Sequence, residues 1–431
     1  MDFLQELRWR GMLYNKTAGV EKILKKKPVV GYIGFDPTAP SITIGNYIQV
    51  MILTLFQKSG HKPIVLMGGA TGRIGDPSGK EQERDLLSTE MVDKNLEKQR
   101  MQFQKLLNFE EGPNRAEMVN NLDFYAGMEA LDFLRDVGKS ITISYMLGKE
   151  SVKNRIEKGI SFTEFSYQLL QAYDFQCLFT RRNCVLQMGG SDQWGNITTG
   201  TEFIRRNLNK KAYAVTTPLL TKSDGSKFGK SAKGNIWLDP DMTSPYQFYQ
   251  FWINVNDQDI PKFLRYFTLH SREEVEEMEL EHEEDMNQLK RKLAEELTVR
   301  IHSQQDLDAV KKVSDLLFNK KADQNSLYEL SLKDWETIER EIPQFTIART
   351  RFETGINALD LLAIETPITG SLSEARRSIK ENSISFNMEK IHDFEHEVHP
   401  EKLIHGRYLL IEKGKKNKYL VKAPPTRKIK L

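Results

Sequence analysis

Between Val29 and Met67 the chain sets a strand, a helix and a second strand in close succession, an order that few folds accept. Val29-Val30-Gly31-Tyr32-Ile33-Gly34-Phe35 is an apolar run of strand length. Ile44, Tyr47, Ile48, Met51, Ile52, Leu55 and Phe56 then recur at helical spacing. Gly60-His61-Lys62-Pro63 breaks that helix, and Ile64-Val65-Leu66-Met67 ends at Gly68-Gly69. Two strands joined by a helix pair in parallel, and parallel sheets of this kind bind ligands beyond their carboxyl ends. Cys184 to Met188 before Gly189-Gly190, and Ala212 to Leu220 before the polar loop Thr221 to Gly234, are further strand candidates. The expected class is α/β, with a doubly wound, Rossmann-like parallel sheet.

A chain of 431 residues exceeds what one core usually supports, so more than one domain is expected. Residues 1–240 hold the α/β pattern, opened by a helix that Asp2 caps. From about Ser244 to Glu339 strands are hard to find, and Val310, Val313, Leu316 and Leu317 keep helical spacing, which predicts a helical domain over 241–340. In a last segment, 355–431, Ser371-Leu372-Ser373-Glu374 reads as a capping box. Short strands are expected there near Ile384 to Phe386, Tyr408 to Ile411 and Tyr419 to Val421.

Hydrophobic residues at 39% and charged residues at 28% exclude a fibrous or disordered chain. No apolar run reaches bilayer length, and the acidic opening lacks the order of an export signal, so a cytoplasmic protein is expected. Cys177 and Cys184 have no partners at metal-ligand spacing and read as buried thiols. The net charge, 62 minus 60, is only +2. Its distribution is uneven: nine acids lie between Glu273 and Asp285, and eight basic residues with no acid between Lys413 and Leu431. The basic tail suits RNA phosphates, although alone it reads as a solvated terminus.

Two segments carry chemistry. Asp36-Pro37-Thr38-Ala39-Pro40-Ser41-Ile42-Thr43-Ile44-Gly45-Asn46 joins the first strand to its helix, placing free N–H groups, hydroxyls and an amide where phosphate binds well. Taken alone it is equally a capped helix. In Lys222-Ser223-Asp224-Gly225-Ser226-Lys227-Phe228-Gly229-Lys230-Ser231 two lysines sit three apart between glycines, a loop able to close over a triphosphate.

Together these segments resemble the two signatures of class I aminoacyl-tRNA synthetases, the second as Lys-Phe-Gly-Lys-Ser. Gly34-Phe35-Asp36-Pro37-Thr38, Gly68-Gly69-Ala70-Thr71-Gly72, Gly75-Asp76-Pro77-Ser78-Gly79-Lys80 and Gly189-Gly190-Ser191-Asp192-Gln193-Trp194-Gly195-Asn196 are similar to bacterial tyrosyl-tRNA synthetases in particular. The segment from about Ala358 to Lys422 resembles their small S4-type RNA-binding domain. The first signature departs from the family's His-Ile-Gly-His and reads Thr43-Ile44-Gly45-Asn46, closer to a tryptophanyl-tRNA synthetase form. Thr43 and Asn46 retain neutral donors where the family has histidines.

A helix is predicted over Ser161 to Asp174, and Tyr167, Gln171 and Asp174 share one face of it. The resemblance implies that Asp174 and Tyr32 bind the phenol of tyrosine. It also implies that Tyr167, Gln171 and Asp76 hold the ammonium group and that Gln193 lies near the carboxylate. For ATP it implies Thr38, Thr43, Gly45 and Asn46 on the phosphate and adenosine side, and Asp192 at the ribose. Lys80, Arg84, Lys227 and Lys230 are then expected at the pyrophosphate, with magnesium accompanying ATP. The expected partners are L-tyrosine, ATP and tRNA(Tyr), the last held by the helical and S4-like domains with Arg376 and Arg377. The resemblance further implies a homodimer through an insertion near Asn120 to Leu147. Two other readings stay open: a tryptophanyl-tRNA synthetase, and an RNA-binding paralogue with weakened catalysis.

Overall fold

The structure is a computed structural model. It describes all residues except 27, 79–81, 83, 84, 157, 158, 232, 233, 283, 284, 319–323, 415, 416 and 425–431. Contacts divide the chain into two compact units, Met1–Thr243 with Phe251–Ile301, and Ser244–Gln250 with His302–Leu431.

The first unit is built on β1 (Asn15–Lys16), β2 (Val30–Phe35), β3 (Lys62–Met67), β4 (Glu117–Asn120), β5 (Cys184–Gly190) and β6 (Tyr213–Thr217), in the order β1-β6-β5-β2-β3-β4. Strands β2 to β6 are parallel, and β1 runs antiparallel along β6. From β2 the chain steps outward through β3 to β4, then returns to the other side of β2 at β5. That reversal is a topological switch point, and it opens a crevice beyond the carboxyl ends of β2 and β5.

Strand β2 lies between two layers, which explains why its sequence is apolar throughout and does not alternate. On one face a Cβ at Gly31 would stand 3.0 Å from the Phe56 ring, so the Ile44–Lys58 helix lies hard against the sheet. On the other, fully buried Tyr32 packs on Phe175, ring centroids 5.3 Å apart. The Phe162–Arg182 and Trp194–Leu208 helices cover that face with Cys177, Leu178 and Ile204. Cys177 and Cys184 are free and buried, and desolvation keeps both as thiols.

Strand β6 is shorter than predicted, ending at Thr217, because Pro218 has no N–H to extend the ladder and Leu219 is exposed. Strands β1 and β4 carry no apolar run. Strand β4 is held at its start by Lys62, whose ammonium lies 2.9 Å from the Glu117 carboxylate. A small hairpin, β7 (Lys230–Ser231) and β8 (Gly234–Asn235), closes the lysine loop.

Among the described residues, 244–341 forms only helices and turns. In the second unit β9 (Gln344–Thr346), β11 (Ile384–Phe386), β12 (Glu389–Lys390), β14 (Tyr408–Lys413) and β15 (Asn417–Lys422) form a sheet ordered β12-β11-β14-β15-β9. β10 (Ile356–Asn357) pairs with β13 (Glu397–Val398). The expected capping box is half made. Ser371 accepts the Glu374 N–H, but the Glu374 carboxylate reaches past the cap to the Gly370 N–H at 2.8 Å. Five of the eight basic residues of the tail lie outside the described residues. No described helix is long and apolar enough to cross a membrane.

Candidate active site

Side chains from the ends of β2, β3 and β5 and from the Phe162–Arg182 helix converge on the crevice. That helix begins where Ser161 accepts the Glu164 N–H at 3.1 Å, and its face presents Tyr167, Gln171 and Asp174.

Two polar clusters form. In the first, Asp174 is 1% exposed. One carboxylate oxygen accepts the Tyr125 hydroxyl and the other the Asn121 amide, each at 2.8 Å. Asn121 also donates to Thr71 at 3.0 Å, Thr71 donates to Asp36 at 2.6 Å, and Tyr167 donates to the other Asp36 oxygen at 2.8 Å. Gly68 permits this chain, since a Cβ there would fall 2.1 Å from an Asp36 carboxylate oxygen. Burial pushes the Asp174 carboxyl up to about 7, opposed by its two donors and aided by Asp36. Tyr32 is wholly buried, its hydroxyl has no hydrogen-bond partner among the described residues, and burial followed by the Asp174 charge raises its pKa. An unmade hydrogen bond at a buried hydroxyl is costly, and sites that carry one are poised for a ligand group.

In the second cluster Gln193 donates to Asp76 at 2.6 Å, and Asn196 lies 3.1 Å from the Gln171 carbonyl oxygen. Asp76 also accepts the Ser78 N–H at 2.9 Å, and Ser78 receives the Asn196 amide at 3.1 Å. One carboxylate among neutral amides makes an acceptor-rich pocket suited to an ammonium group.

The phosphate side is stitched from both signature segments. Thr43 caps the Ile44–Lys58 helix by accepting the Asn46 N–H at 3.2 Å, which leaves its own hydroxyl proton free to donate. Asn46 and Thr38 are exposed. Ile44 donates its N–H to Ile236, and Ile236 to Gly229. At Gly229, φ is +85° and a Cβ would stand 3.1 Å from the Gly45 nitrogen, so only glycine lets the two segments close on each other. Phe228 is buried among Phe251, Trp252, Phe263 and Phe267, while Lys227 and Lys230 on either side are exposed. Asp192 sits in the turn that follows Gly190. Lys80 and Arg84 lie outside the described residues.

Thus Tyr32, Tyr167, Asp174, Gln171, Asp76 and Gln193 gather at one end of the crevice, and Ile44 and Gly45, between Thr43 and Asn46, meet the lysine loop at Phe228 and Gly229. Sequence reasoning passed over Asn121, Tyr125, Asn196 and the role of Asp36. The only available signal was polar residues at the carboxyl ends of strands, and for Asn121 the Asn120-Asn121 pair ends a strand that was itself unforeseen.

Residues 24–319 match the family model described as tRNA synthetases class I (W and Y), and residues 334–421 match the Tyrosine--tRNA ligase SYY-like C-terminal domain. The chain is 48% identical to a tyrosine--tRNA ligase of Cytophaga hutchinsonii and 49% identical to one of Amoebophilus asiaticus, each over 98% of this chain and 99% of the relative. Among solved structures it is similar to a C-terminally truncated mitochondrial tyrosyl-tRNA synthetase of Aspergillus nidulans. There the identity is 32% and the TM-score 0.66, over 74% of this chain and 94% of that one.

Proposed function

As a chain that belongs to the tyrosine--tRNA ligases of class I, this is an enzyme that activates tyrosine with ATP and passes the tyrosyl group to tRNA, and we propose that it does so in the crevice just described. The observation that carries the assignment of roles is the buried pair of Asp174 and the Tyr32 hydroxyl, which has no partner among the described residues. A buried acceptor beside a buried hydroxyl matches a phenol, which both donates and accepts. Phenylalanine would leave the Tyr32 hydroxyl unpaired and give Asp174 no third donor, a penalty for which this reaction is itself the known illustration. In this reading Asp76, Gln171 and Tyr167 take the ammonium group and Gln193 stands near the carboxylate.

The tyrosine carboxylate attacks the α-phosphorus of ATP, which enters as its magnesium complex, and pyrophosphate leaves. Thr38, Thr43, Gly45 and Asn46 line the phosphate side, Asp192 takes the ribose, and Lys80, Arg84, Lys227 and Lys230 meet the negative charge that grows on the pyrophosphate. A terminal ribose hydroxyl of tRNA(Tyr) then attacks the tyrosyl carbonyl and AMP leaves. Neither step needs a nucleophile from the protein, so positioning and charge stabilisation do the catalysis.

The domain roles follow the same reading: 1–240 for catalysis, and 241–340 with 355–431 for tRNA. A homodimer through the segment near Asn120 to Leu147 is supported by Leu131 at 76%, Leu134 at 52% and Ile143 at 67% exposure. A cytoplasmic site of action accords with the use of tRNA. The roles of the loop lysines are tested by Lys230→Ala in tyrosine-dependent ATP–pyrophosphate exchange. The expected result is a fall in kcat of about a hundredfold with tyrosine KM unchanged; an unchanged kcat removes Lys230 from the chemistry.

A further inference from the structure

Tyr125 follows the short turn Asn121–Phe124, on the same stretch assigned above to the dimer insertion, yet its side chain reaches the tyrosine pocket. Its ring packs against Tyr173 at 5.6 Å between centroids. Its hydroxyl lies 2.8 Å from one Asp174 oxygen and 3.0 Å from the Leu170 carbonyl. A phenol has one proton to give, and of these two acceptors a carboxylate is the stronger. Asn121 fixes the second Asp174 oxygen and is itself held by Thr71 and the Ala70 N–H. Both oxygens of the carboxylate are therefore oriented before any ligand arrives.

Asp174 is faced by Asp36, Tyr32, Tyr125, Tyr167, Tyr173 and Cys177. Among the described residues no cation contributes to its charge state. Burial and Asp36 favour its protonated form, and the groups working for the charged form are Asn121 and Tyr125. We propose that Tyr125 is a positioning residue for tyrosine selection, its hydroxyl orienting Asp174 and holding it as the carboxylate that accepts the substrate's phenol proton. This rests on the reading that Asp174 meets that phenol.

The test is Tyr125→Phe in the intact protein, which keeps the ring and removes one oxygen. Tyrosine-dependent exchange is followed from pH 6 to 9, with KM for ATP as the check on the rest of the site. The expected result is a tyrosine KM about tenfold higher at pH 7 with ATP KM unchanged. The pH midpoint of the tyrosine KM profile moves upward, because a donor to the charged form has been lost, and the preference over phenylalanine falls by a similar factor. A profile that superimposes on the parent's overturns the proposal, leaving the hydroxyl only a tie to Leu170. Should the variant not fold, 3-fluorotyrosine introduced at position 125 is the stronger donor and moves the midpoint downward; no movement again overturns the proposal. Asp174→Asn, run in parallel, separates the two levels: unchanged tyrosine binding in that variant rejects the role of Asp174 itself.

Discussion

A carboxylate buried among neutral donors stays charged only at a cost, and Asp174 carries that cost at the proposed tyrosine pocket. Its carboxyl is raised to about 7, so the protonated form gains as pH falls below that value. Only the ionised form accepts the substrate's phenol with full strength. Tyrosine KM is therefore expected to rise between pH 8 and pH 6 while KM for ATP changes little, as steady-state exchange at each pH would show; parallel changes in both would contradict it. The helix spacing in the sequence was enough to put Tyr167, Gln171 and Asp174 on one face. It could not reveal what answers them, because Asn121 and Tyr125 come from a turn without periodicity, and Asp36 is answered by Thr71 from a loop after β3.

At the scale of elements, the lysine loop is less free than its glycines suggest. Fully buried Asp259 accepts both the Ser223 N–H at 2.9 Å and the Ser223 hydroxyl at 3.2 Å. Lys262, one turn along the Ile260–Phe267 helix, donates to the Thr221 carbonyl at 2.8 Å. The far end of that helix is gripped by Arg10, which donates to the carbonyls of Arg265, Thr268 and His270. With Phe228 sunk in its aromatic cluster, the loop has two anchors and the lysines project from the span between and beyond them. Asp259→Ala releases one anchor, and the expected result is a KM for ATP raised about fivefold with tyrosine KM unchanged. Equal KM values for ATP in variant and parent would show that the anchor does not position the lysines. The parallel strands and the first helix could be read directly from apolar runs and spacing. The anchors could not, since they join residues far apart in sequence, such as Phe228 and Phe263 or Ser223 and Asp259.

For the whole molecule, activation and transfer place demands on different surfaces. Arg376 and Arg377 are exposed on the Leu372–Lys380 helix of the second unit, far in sequence from the crevice residues. Replacing both by alanine is expected to weaken tRNA charging several-fold, with a shallower dependence on salt, and to leave exchange unaltered. Loss of exchange as well would place them in the activation machinery. The change from strands with helices, to helices alone, to short strands was legible because each pattern has its own period of apolar residues. The contact boundaries were less so, since the helices from Ile260 to Ile301 fold with the six-stranded sheet, while Ser244–Gln250 and the helices from Gln304 onward fold with the second unit. The central claim is that a pocket built on Asp174 and Tyr32 selects tyrosine and that Thr43 and Asn46 suffice in place of two histidines. It is tested most directly by ATP–pyrophosphate exchange with tyrosine, tryptophan and phenylalanine. Exchange with tyrosine alone is the expected result; exchange driven by tryptophan, or none from folded protein with magnesium present, would contradict it.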